Sequence, residues 1–447
     1  MSRLLSILRR KAPVLAALFG DRKGATAITV AFALTGIAGM AGLATEASDW
    51  YLTSRKMQSA ADAAAFSAAT ALAAGESKTD FTNEAKYVAA SAGYNFTAGT
   101  NSVSVTVNNP PATGSHTSDN KAVEVLISQP QTPLLSGLFL SSGPTIKARS
   151  VATAAINGTG CVLALDRGNV VDATDTGNGT LNLTNCAIYI NSDDPTGALT
   201  MTGNATINAA GAYITGGVST TGNAALNTSG NTHTGVAPIN DPYANVPVPS
   251  YSGCNYGTSS TSAYTLSSHT NATLSTVANG IGVFCHGINL SGGSSLTLNP
   301  GIYIINGGGT NALSLSGQST LNATGGVTLV LTGSGTDYAG VSFSGGSTVN
   351  LTAPSSGPTA GLAFFQDRNA PATGSDSLTG GSTQNITGAI YFPNQSVNFT
   401  GNSGTSSASC TQLIALKLTF TGNSGFSTNC SGVGTTAFGT SSATMVE

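Results

Sequence analysis

Charged side chains are scarce in this sequence, which has 16 Lys and Arg and 19 Asp and Glu among 447 residues. The charged share of 8% compares with roughly 25% in a typical soluble domain. So few basic residues cannot form the dense positive patch of a nucleic-acid-binding protein, and so few Glu and Lys exclude a long coiled coil. Ordinary disorder does not fit either, because disordered chains combine low hydrophobicity with high net charge. Here 40% of the residues are apolar and the net charge is −3.

Metal-binding and catalytic constellations are also missing from the sequence. The four histidines share no spacing typical of a metal site, and no cysteine lies in a CxxC pair. No Gly-rich phosphate loop lies between a strand and a helix. The acidic groups that could form a catalytic cluster are Asp166/Arg167, Asp172/Asp175, Asp193/Asp194 and Asp367/Arg368/Asp376. Caps, turns and salt bridges explain these groups more simply than catalysis, so we expect no enzyme, no cofactor, no metal and no nucleic-acid partner.

The N-terminal region carries a concentrated positive charge followed by an apolar run. Residues 1–23 form a basic leader, and residues 24–45 contain no charged side chain. This run is long enough to cross a bilayer as a helix. Because basic flanks stay on the cytoplasmic side, we expect a single-pass membrane protein with a cytoplasmic N-terminus and with residues 46–447 outside the cytoplasm.

A cleaved signal peptide is the alternative interpretation of this run. Gly42-Leu43-Ala44 fits a small-x-small cleavage site. The apolar run is longer than that of a usual signal peptide, and its basic leader is unusually long. These two features favour a retained transmembrane helix.

Residues 46–156 predict a small α/β juxtamembrane module. Ala dominates residues 46–74, which lack Gly and Pro, so we expect the anchor to continue as one helix, with Trp50 and Tyr51 at the membrane interface. Helical spacing predicts a second helix over residues 80–92. Alternating apolar residues predict strands over 103–107, 122–127 and 145–156.

Residues 161–432 are rich in Gly, Ser, Thr and Asn and repeat a loose unit of a Gly turn followed by alternating apolar residues. Equivalent glycines lie 19, 24 and 21 residues apart, at 203 and 222, 293 and 317, and 401 and 422. A period near this length, with short strands and no helices, is typical of a solenoid. We therefore predict a mainly β fold, a right-handed parallel β-helix preceded by the transmembrane helix and the α/β module. A β-sandwich of hairpins is the alternative. Residues 231–270 predict an irregular insertion between two stacks, and 433–447 a C-terminal tail.

All six cysteines lie beyond the anchor, at Cys161, Cys186, Cys254, Cys285, Cys410 and Cys430. An even number in an exported region indicates disulfides, although six cysteines allow fifteen pairings. Pairs taken in sequence order are 25, 31 and 20 residues apart. These separations are close to the repeat period, so we expect 161–186, 254–285 and 410–430 to cross-link neighbouring coils.

Two parts of the sequence resemble a known family. Gly24-Ala25-Thr26-Ala27 opens the apolar run, and the segment from Tyr51 to Ala65 reads YLTSRKMQSAADAAA. This pattern resembles the N-terminal membrane domain of TadG-like proteins of Flp (tight adherence) pilus assembly. The stretches CVLALD, LNPGIYII, GLAFFQDR and GAIYFPNQSVNFTGNS resemble the C-terminal part of many TadG-like proteins.

The resemblance implies a non-enzymatic protein of pilus assembly or of the cell envelope that is anchored in the inner membrane. Its bulk would lie in the periplasm or at the cell surface and act through a projecting β-helix. Its anchor helix would engage pilin-like or other pilus-assembly proteins, with Trp50, Tyr51, Arg55, Gln58 and Asp62 as candidate membrane and partner contacts. A surface adhesin that binds a glycan or host-surface ligand is the alternative, followed by a carbohydrate-active enzyme.

Overall fold

The computed structural model describes residues 22–95, 103–138, 141–157, 160–230, 232–257, 262–378, 383–400, 410–427, 430 and 432–447. The chain is mainly β and divides into two compact units. Residues 1–155 with 442–447 are called the helical unit, and residues 156–441 the strand unit. Of the expected leader at 1–23, only Arg22 and Lys23 lie within the described part of the chain.

The elements alternate little, with helices first and strands after them. The helices are α1 (Arg22–Ala73) and α2 (Lys78–Ser91), and short 3-10 turns lie at Ser136–Leu138, Ala278–Gly280 and Gly309–Asn311. The strands in chain order are β1 (Ser104–Asn108), β2 (Ala122–Pro130), β3 (Thr145–Asn157), β4 (Gly160–Ala164), β5 (Ala173–Gly177), β6 (Thr180–Thr184), β7 (Ala187–Ile190), β8 (Leu199–Gly203), β9 (Thr206–Ala209), β10 (Gly211–Ile214), β11 (Val218–Gly222), β12 (Ala225–Thr228), β13 (Thr232–Thr234), β14 (Tyr264–Leu266), β15 (Asn271–Leu274), β16 (Ile281–Cys285), β17 (Ile288–Leu290), β18 (Ser295–Leu298), β19 (Gly301–Asn306), β20 (Leu313–Leu315), β21 (Thr320–Ala323), β22 (Val327–Ser334), β23 (Asp337–Tyr338), β24 (Val341–Phe343), β25 (Thr348–Thr352), β26 (Leu362–Gln366), β27 (Ser375–Leu378), β28 (Thr383–Thr400), β29 (Thr411–Thr421), β30 (Ser424–Ser427) and β31 (Thr440–Met445).

The helical unit packs its helices against a sheet of order β1-β2-β3-β31, in which β1, β2 and β3 pair antiparallel. The continuous helix expected from the anchor through residue 74 is present as α1. The segment expected to be a tail, 433–447, contains β31 and supplies one strand of this sheet. The sequence signal for β31 is weak because its apolar positions are short and interrupted by Ser.

A seam of alanines allows α1 to lie close to its neighbours. Its buried positions recur at spacings of one, three and four residues, which places them on one face of the helix. They are Met57, Ala60, Ala61, Ala64, Ala65, Ala68 and Ala69. Their short side chains meet Phe81, Ala85 and Ala89 of α2 and the apolar side of β2.

A buried ion pair crosses the sheet of the helical unit. Glu124 is fully buried, and it accepts hydrogen bonds from Asn108 Nδ2 at 2.7 Å, from the Ala112 N–H at 3.0 Å and from Arg149 Nε at 2.6 Å. Burial alone would raise the pKa of Glu124, but these donors outweigh it and lower that pKa. Arg149 also pairs with Glu447 at 2.5 Å, so the carboxylates of Glu124 on β2 and Glu447 after β31 share one guanidinium.

The strand unit consists of three series of strands, each strand pairing in parallel with its counterpart in the neighbouring repeat. The first series runs β13-β10-β7-β4-β29-β28-β26-β22-β19-β16. The second runs β11-β8-β5-β29-β28-β27-β24-β20-β17-β14. The third has two runs, β12-β9-β6-β30 and β28-β25-β21-β18-β15. The long strands β28 and β29 take part in more than one series.

The order of repeats in space differs from their order in the chain. Residues 411–427 pair with residues 160–184, so the last repeat of the chain lies beside the first. The stack therefore begins at 264–274, passes through 411–427 and 160–184, and ends at 211–234. The prediction of two stacks separated by an insertion is wrong in this respect, because both segments offer parallel edges that pair with each other.

The connection between the two ends of this stack runs along its first series. Residues 235–257, called the strap, have no strand of their own. The strap hydrogen-bonds to successive repeats of the first series, in their order along the stack. The bonded pairs are Ile239 with Asn191, Tyr243 with Gln412, Tyr251 with Asn306 and Asn255 with Val283. The insertion expected at about 231–270 is thus ordered as a cover over most of its length, with β13 and β14 at its two ends.

The strap explains why the first series is buried on both sides. Strands β4, β7 and β26 are buried at every position. Their inward side chains belong to the largest apolar cluster of the described strand unit, which lies between the three series. Their outward side chains Leu163, Tyr189 and Phe365 belong to a second apolar cluster with Tyr243 of the strap. Strands buried on both faces have continuous apolar sequences, and CVLAL and LAFF are such runs.

The three disulfides join the pairs that the spacing predicts. Cys161–Cys186 links the neighbouring strands β4 and β7, with a Cα–Cα distance of 5.7 Å. Cys254–Cys285 fixes the strap to β16, and Cys410–Cys430 joins the residue before β29 to the segment after β30. The last pair closes a loop around one repeat and does not link two repeats of the first series.

Arg368 is the residue whose loss we expect to release the strap. Its Nη1 donates to the Val246 carbonyl at 2.8 Å, its Nη2 donates to the Tyr243 carbonyl, and its guanidinium lies 5.3 Å from the Tyr391 ring. Arg368→Met keeps much of the side-chain volume but leaves both carbonyls without this donor, which predicts a loss of about 2–4 kcal/mol in unfolding free energy.

Denaturant unfolding and limited proteolysis of the strap measure this change. Arg167→Met is the matched control, because Arg167 is exposed and donates to a side chain of the strap, Asn240 Oδ1, at 2.6 Å and not to its backbone carbonyls in the described part of the chain. We expect the control to stay within about 0.5 kcal/mol of the unchanged protein. Equal stability and equal cleavage of the two variants would contradict the assigned role of Arg368.

Candidate functional site

The first half of α1 presents apolar side chains that nothing in the described helical unit covers. The exposed side chains are Val30, Phe32, Leu34, Ile37, Met40 and Leu43. The helix is long and apolar enough to cross a membrane, and only 6% of its most apolar 18-residue segment is buried. A core helix of a soluble domain would be mostly buried, so this exposure favours a lipid environment for residues 29–45.

Glu46 fastens the end of this apolar segment to the loop that follows β2. Its carboxylate accepts hydrogen bonds from the Leu134 N–H at 2.8 Å, the Ser136 N–H at 2.9 Å and the Ser136 hydroxyl at 2.6 Å. A Cβ on Gly42 would collide with the Leu135 side chain, so glycine permits the close approach of the loop to α1. The apolar segment is therefore held in a defined direction relative to the sheet of the helical unit.

The five candidate contact residues on α1 fall into two groups. Tyr51 is 60% exposed, Arg55 is exposed with its guanidinium 5.5 Å from the Tyr51 ring, and Trp50 is half-buried. Gln58 instead points to the sheet, where its Nε2 donates to Asp62 Oδ1 at 2.8 Å and to the Arg149 carbonyl at 2.9 Å. Tyr51 and Arg55 are thus available to a partner, whereas Gln58 and Asp62 hold the helix to its own unit.

Two further exposed apolar residues extend the accessible face of α1. Leu52 is 55% exposed and Phe66 is 47% exposed. With Tyr51 and Arg55 they form what we call the open face of α1. The sequence contained a signal for them, since Leu52 and Phe66 are large apolar residues outside the alanine positions that form the seam.

The acidic groups of the strand unit do not converge on one site. Asp166 pairs with Lys417 at 3.4 Å, Asp194 caps the turn at Thr196 at 2.9 Å, and Asp367 accepts from the Thr332 hydroxyl at 2.7 Å. Arg368 is committed to the strap. Within the described ranges, no group of three or more His, Cys, Asp or Glu residues is arranged to hold a metal ion.

Three carboxyl groups are instead enclosed among the strands. Asp172, Asp175 and Asp376 are all buried. Burial raises the pKa of Asp172 to about 8, with a further contribution from Asp166, and it raises the pKa of Asp175 to about 7. Burial also raises the pKa of Asp376 to about 7, against the opposing hydrogen bond from the Val341 N–H at 2.7 Å. These groups are therefore protonated in mildly acidic solution and ionise around neutral pH.

The raised pKa values predict that the strand unit becomes less stable as the pH rises. In the unfolded chain these carboxyls ionise near pH 4, whereas in the folded chain they ionise near 7–8. Between these limits the folded state binds more protons, so the unfolding free energy falls with increasing pH and then levels off. Asp175→Asn is neutral throughout and should be more stable than the unchanged protein at pH 8, by about 2–4 kcal/mol.

Denaturant unfolding at pH 4.5 and pH 8 tests this expectation. Asp193→Asn, at an exposed turn, is the matched control and should leave the pH dependence unchanged. If Asp175→Asn does not reduce the pH dependence of the unfolding free energy, Asp175 is already ionised in the folded protein at pH 4.5.

One comparison with known proteins bears on this helix. Residues 24–71 match the family described as "Putative Flp pilus-assembly TadE/G-like". No curated protein and no solved structure matches the chain. The family match covers the apolar half of α1, Glu46, the five candidate contact residues and the alanine seam. The resemblance expected from Gly24-Ala25-Thr26-Ala27 and from the segment after Tyr51 is confirmed, and residues 24–71 are a TadE/G-like Flp pilus-assembly domain that coincides with the long apolar helix.

Proposed function

We propose that this chain is a single-pass, non-enzymatic membrane protein of tight-adherence pilus assembly. The TadE/G-like match over residues 24–71 carries this proposal, because it coincides with the apolar, exposed half of α1. The domain supports a role in pilus assembly, and the helix supports membrane association. The position of the chain in that machinery is part of the proposal.

The proposed orientation places the N-terminus in the cytoplasm and the bulk of the chain in the periplasm or at the cell surface. The basic residues at 1–23 support it through the preference of Lys and Arg for the cytoplasmic side. The six cysteines support it as well, since paired cysteines are typical of an oxidising compartment outside the cytoplasm.

The open face of α1 is the proposed contact with pilin-like or other pilus-assembly proteins. Tyr51, Leu52 and Phe66 offer apolar area, and Arg55 offers a charge close to the membrane surface. Aromatic and Arg residues are the side chains that most often dominate the energy of protein interfaces. The apolar side chains of the membrane segment would extend the same contact within the bilayer.

The strand unit is proposed to be a right-handed parallel β-helix that acts by contact and without chemistry. The parallel pairing of successive repeats in three series supports this architecture. The separation of Asp166, Asp194 and Asp367 into different local interactions supports the absence of catalysis, because hydrolysis of a glycan requires two carboxyl groups facing one bond.

Complementation of a deletion strain tests the proposal. Deletion should abolish or sharply reduce piliation seen by electron microscopy, and the unchanged gene should restore it. Tyr51→Ser should lower the recovery of partner proteins with the tagged chain on the order of tenfold, because it removes an exposed aromatic contact. Tyr87→Ser is the matched control, since Tyr87 is 72% exposed on α2 outside the open face.

Two results would overturn the proposal. Normal piliation and adhesion in the deletion strain would remove the assembly role. Equal partner recovery with Tyr51→Ser and Tyr87→Ser would remove the open face from the interaction. Protease added to intact cells separates a periplasmic protein, which is protected, from a surface adhesin, which is cleaved.

A further inference from the structure

The second strand series carries a row of threonines on its outward side. Thr400, Thr421, Thr176, Thr202 and Thr221 lie on the successive strands β28, β29, β5, β8 and β11. Each is the register partner of the next, so the row is set by backbone pairing. The residues that alternate with them, such as Asp175, Met201 and Phe420, point inward and are buried.

A parallel row of small polar residues lies two positions earlier in the same strands. Its members, in the same order, are Asn398, Thr419, Thr174, Thr200 and Ser219. The two rows together are called the hydroxyl array. The earlier row continues along the stack through Ser377, Ser342, Ser314, Asn289 and Thr265.

The spacing within the hydroxyl array is regular in two directions. Neighbouring strands are separated by about 4.8 Å, and residues two apart along a strand by about 6.6 Å. The β-branched threonine side chain has few accessible χ1 rotamers, so its hydroxyl and methyl groups repeat at nearly fixed positions. The array is therefore a two-dimensional lattice of uncharged hydrogen-bonding groups.

The row crosses the junction between two distant parts of the chain. Thr421 belongs to the last repeat and Thr176 to the first, and they are direct neighbours, with 3.1 Å between their hydroxyl oxygens. Local repetition of one sequence unit does not account for this continuity, because the two segments are separated by 245 residues. Both segments carry Thr at the position that continues the row.

The outward residues of the third series behave differently. Asn182, Asn208 and Asn227 form a ladder in which each amide donates to the next at 2.8–3.0 Å, and Asn322, Asn350 and Asn385 form another. Within the hydroxyl array, Thr421 and Thr176 hydrogen-bond to each other, the Thr200 hydroxyl donates to the Gly197 carbonyl at 3.2 Å, and Asn398 donates to the Ser375 hydroxyl at 2.7 Å. In the described part of the chain, the hydroxyls of Thr202 and Thr221 have no hydrogen bond to another protein group, so they are available to a ligand.

Charge enters this surface only at its border. Lys417 on β29 is the register partner of Ser396 on β28, and its Nζ is 3.4 Å from Asp166 Oδ2. The hydroxyl array itself contains no ionisable group and no aromatic ring. It therefore lacks the ion pairs that bind charged ligands and the ring faces on which sugars and bases stack.

We propose that the hydroxyl array binds the surface of crystalline water, that is, ice. A periodic surface is complementary to a periodic ligand, and ice presents its oxygen atoms on a regular lattice of hydrogen-bonding groups. Each threonine contributes little, but the hydroxyls engage together because the strands hold them on one lattice, as in multivalent binding. The threonine methyl groups rest between the water positions and exclude mobile water.

Thermal hysteresis and the binding of fluorescently labelled protein to a growing ice surface test the proposal. Both are measured on the full chain in detergent micelles, with empty micelles as the blank. Thr202→Tyr places a bulky ring in the middle of the threonine row and should lower the hysteresis at least fivefold. Thr202→Val keeps the shape and removes the hydroxyl, and it should give an intermediate value.

Thr297→Tyr is the matched control, because Thr297 is a half-buried outward threonine on β18 of the third series. It should keep the hysteresis of the unchanged protein, and circular dichroism should show that every variant is folded. Hysteresis of the unchanged protein equal to that of empty micelles would overturn the proposal. Equal losses with Thr202→Tyr and Thr297→Tyr would also overturn it, as would sedimentation with insoluble chitin or cellulose without any affinity for ice.

Discussion

Parallel pairing of each strand with its counterpart in the next repeat is the interaction on which the strand unit depends. Because equivalent residues then lie above one another, the same type of residue recurs at the same position of each repeat along the stack. Apolar positions merge into a continuous core, and asparagines form hydrogen-bonded ladders. Backbone hydrogen bonds and apolar burial provide most of the stability of the unit, so it needs few surface ion pairs.

The same pairing creates a constraint that the strap resolves. Residues 411–427 pair with residues 160–184, so two segments of the chain join in the middle of the stack. The chain between these segments must therefore cross from one end of the stack to the other. The strap makes this connection over the first series and buries its outward side chains. Arg368 links the two, since it follows β26 and donates to strap carbonyls. A connection that would otherwise be an exposed loop thereby becomes part of a second core.

Local features could be predicted from the sequence, whereas features that depend on distant pairing could not. The absence of Gly and Pro after Glu46 predicted the course of α1, and repeat-length separations predicted the cysteine pairs. Gln58 was assigned to a partner because nothing local reveals its bond to the Arg149 carbonyl. The junction of β29 with β5 was missed for the same reason, since strand edges 245 residues apart have no signal in a local pattern. The apolar runs CVLAL and LAFF did contain a signal for two-sided burial.

Cysteine cross-linking at the junction of the two segments tests the parallel order of the stack most directly. Thr419 and Thr174 are register partners on β29 and β5, and Thr200 lies one strand further on. Neighbouring parallel strands, at about 4.8 Å, fall within the Cα–Cα range of a disulfide, whereas a separation of two strands exceeds it. Mild oxidation should therefore cross-link Thr419→Cys with Thr174→Cys within one chain and leave Thr419→Cys with Thr200→Cys reduced. Cross-linking of the second pair without the first would contradict the order of repeats on which the account rests.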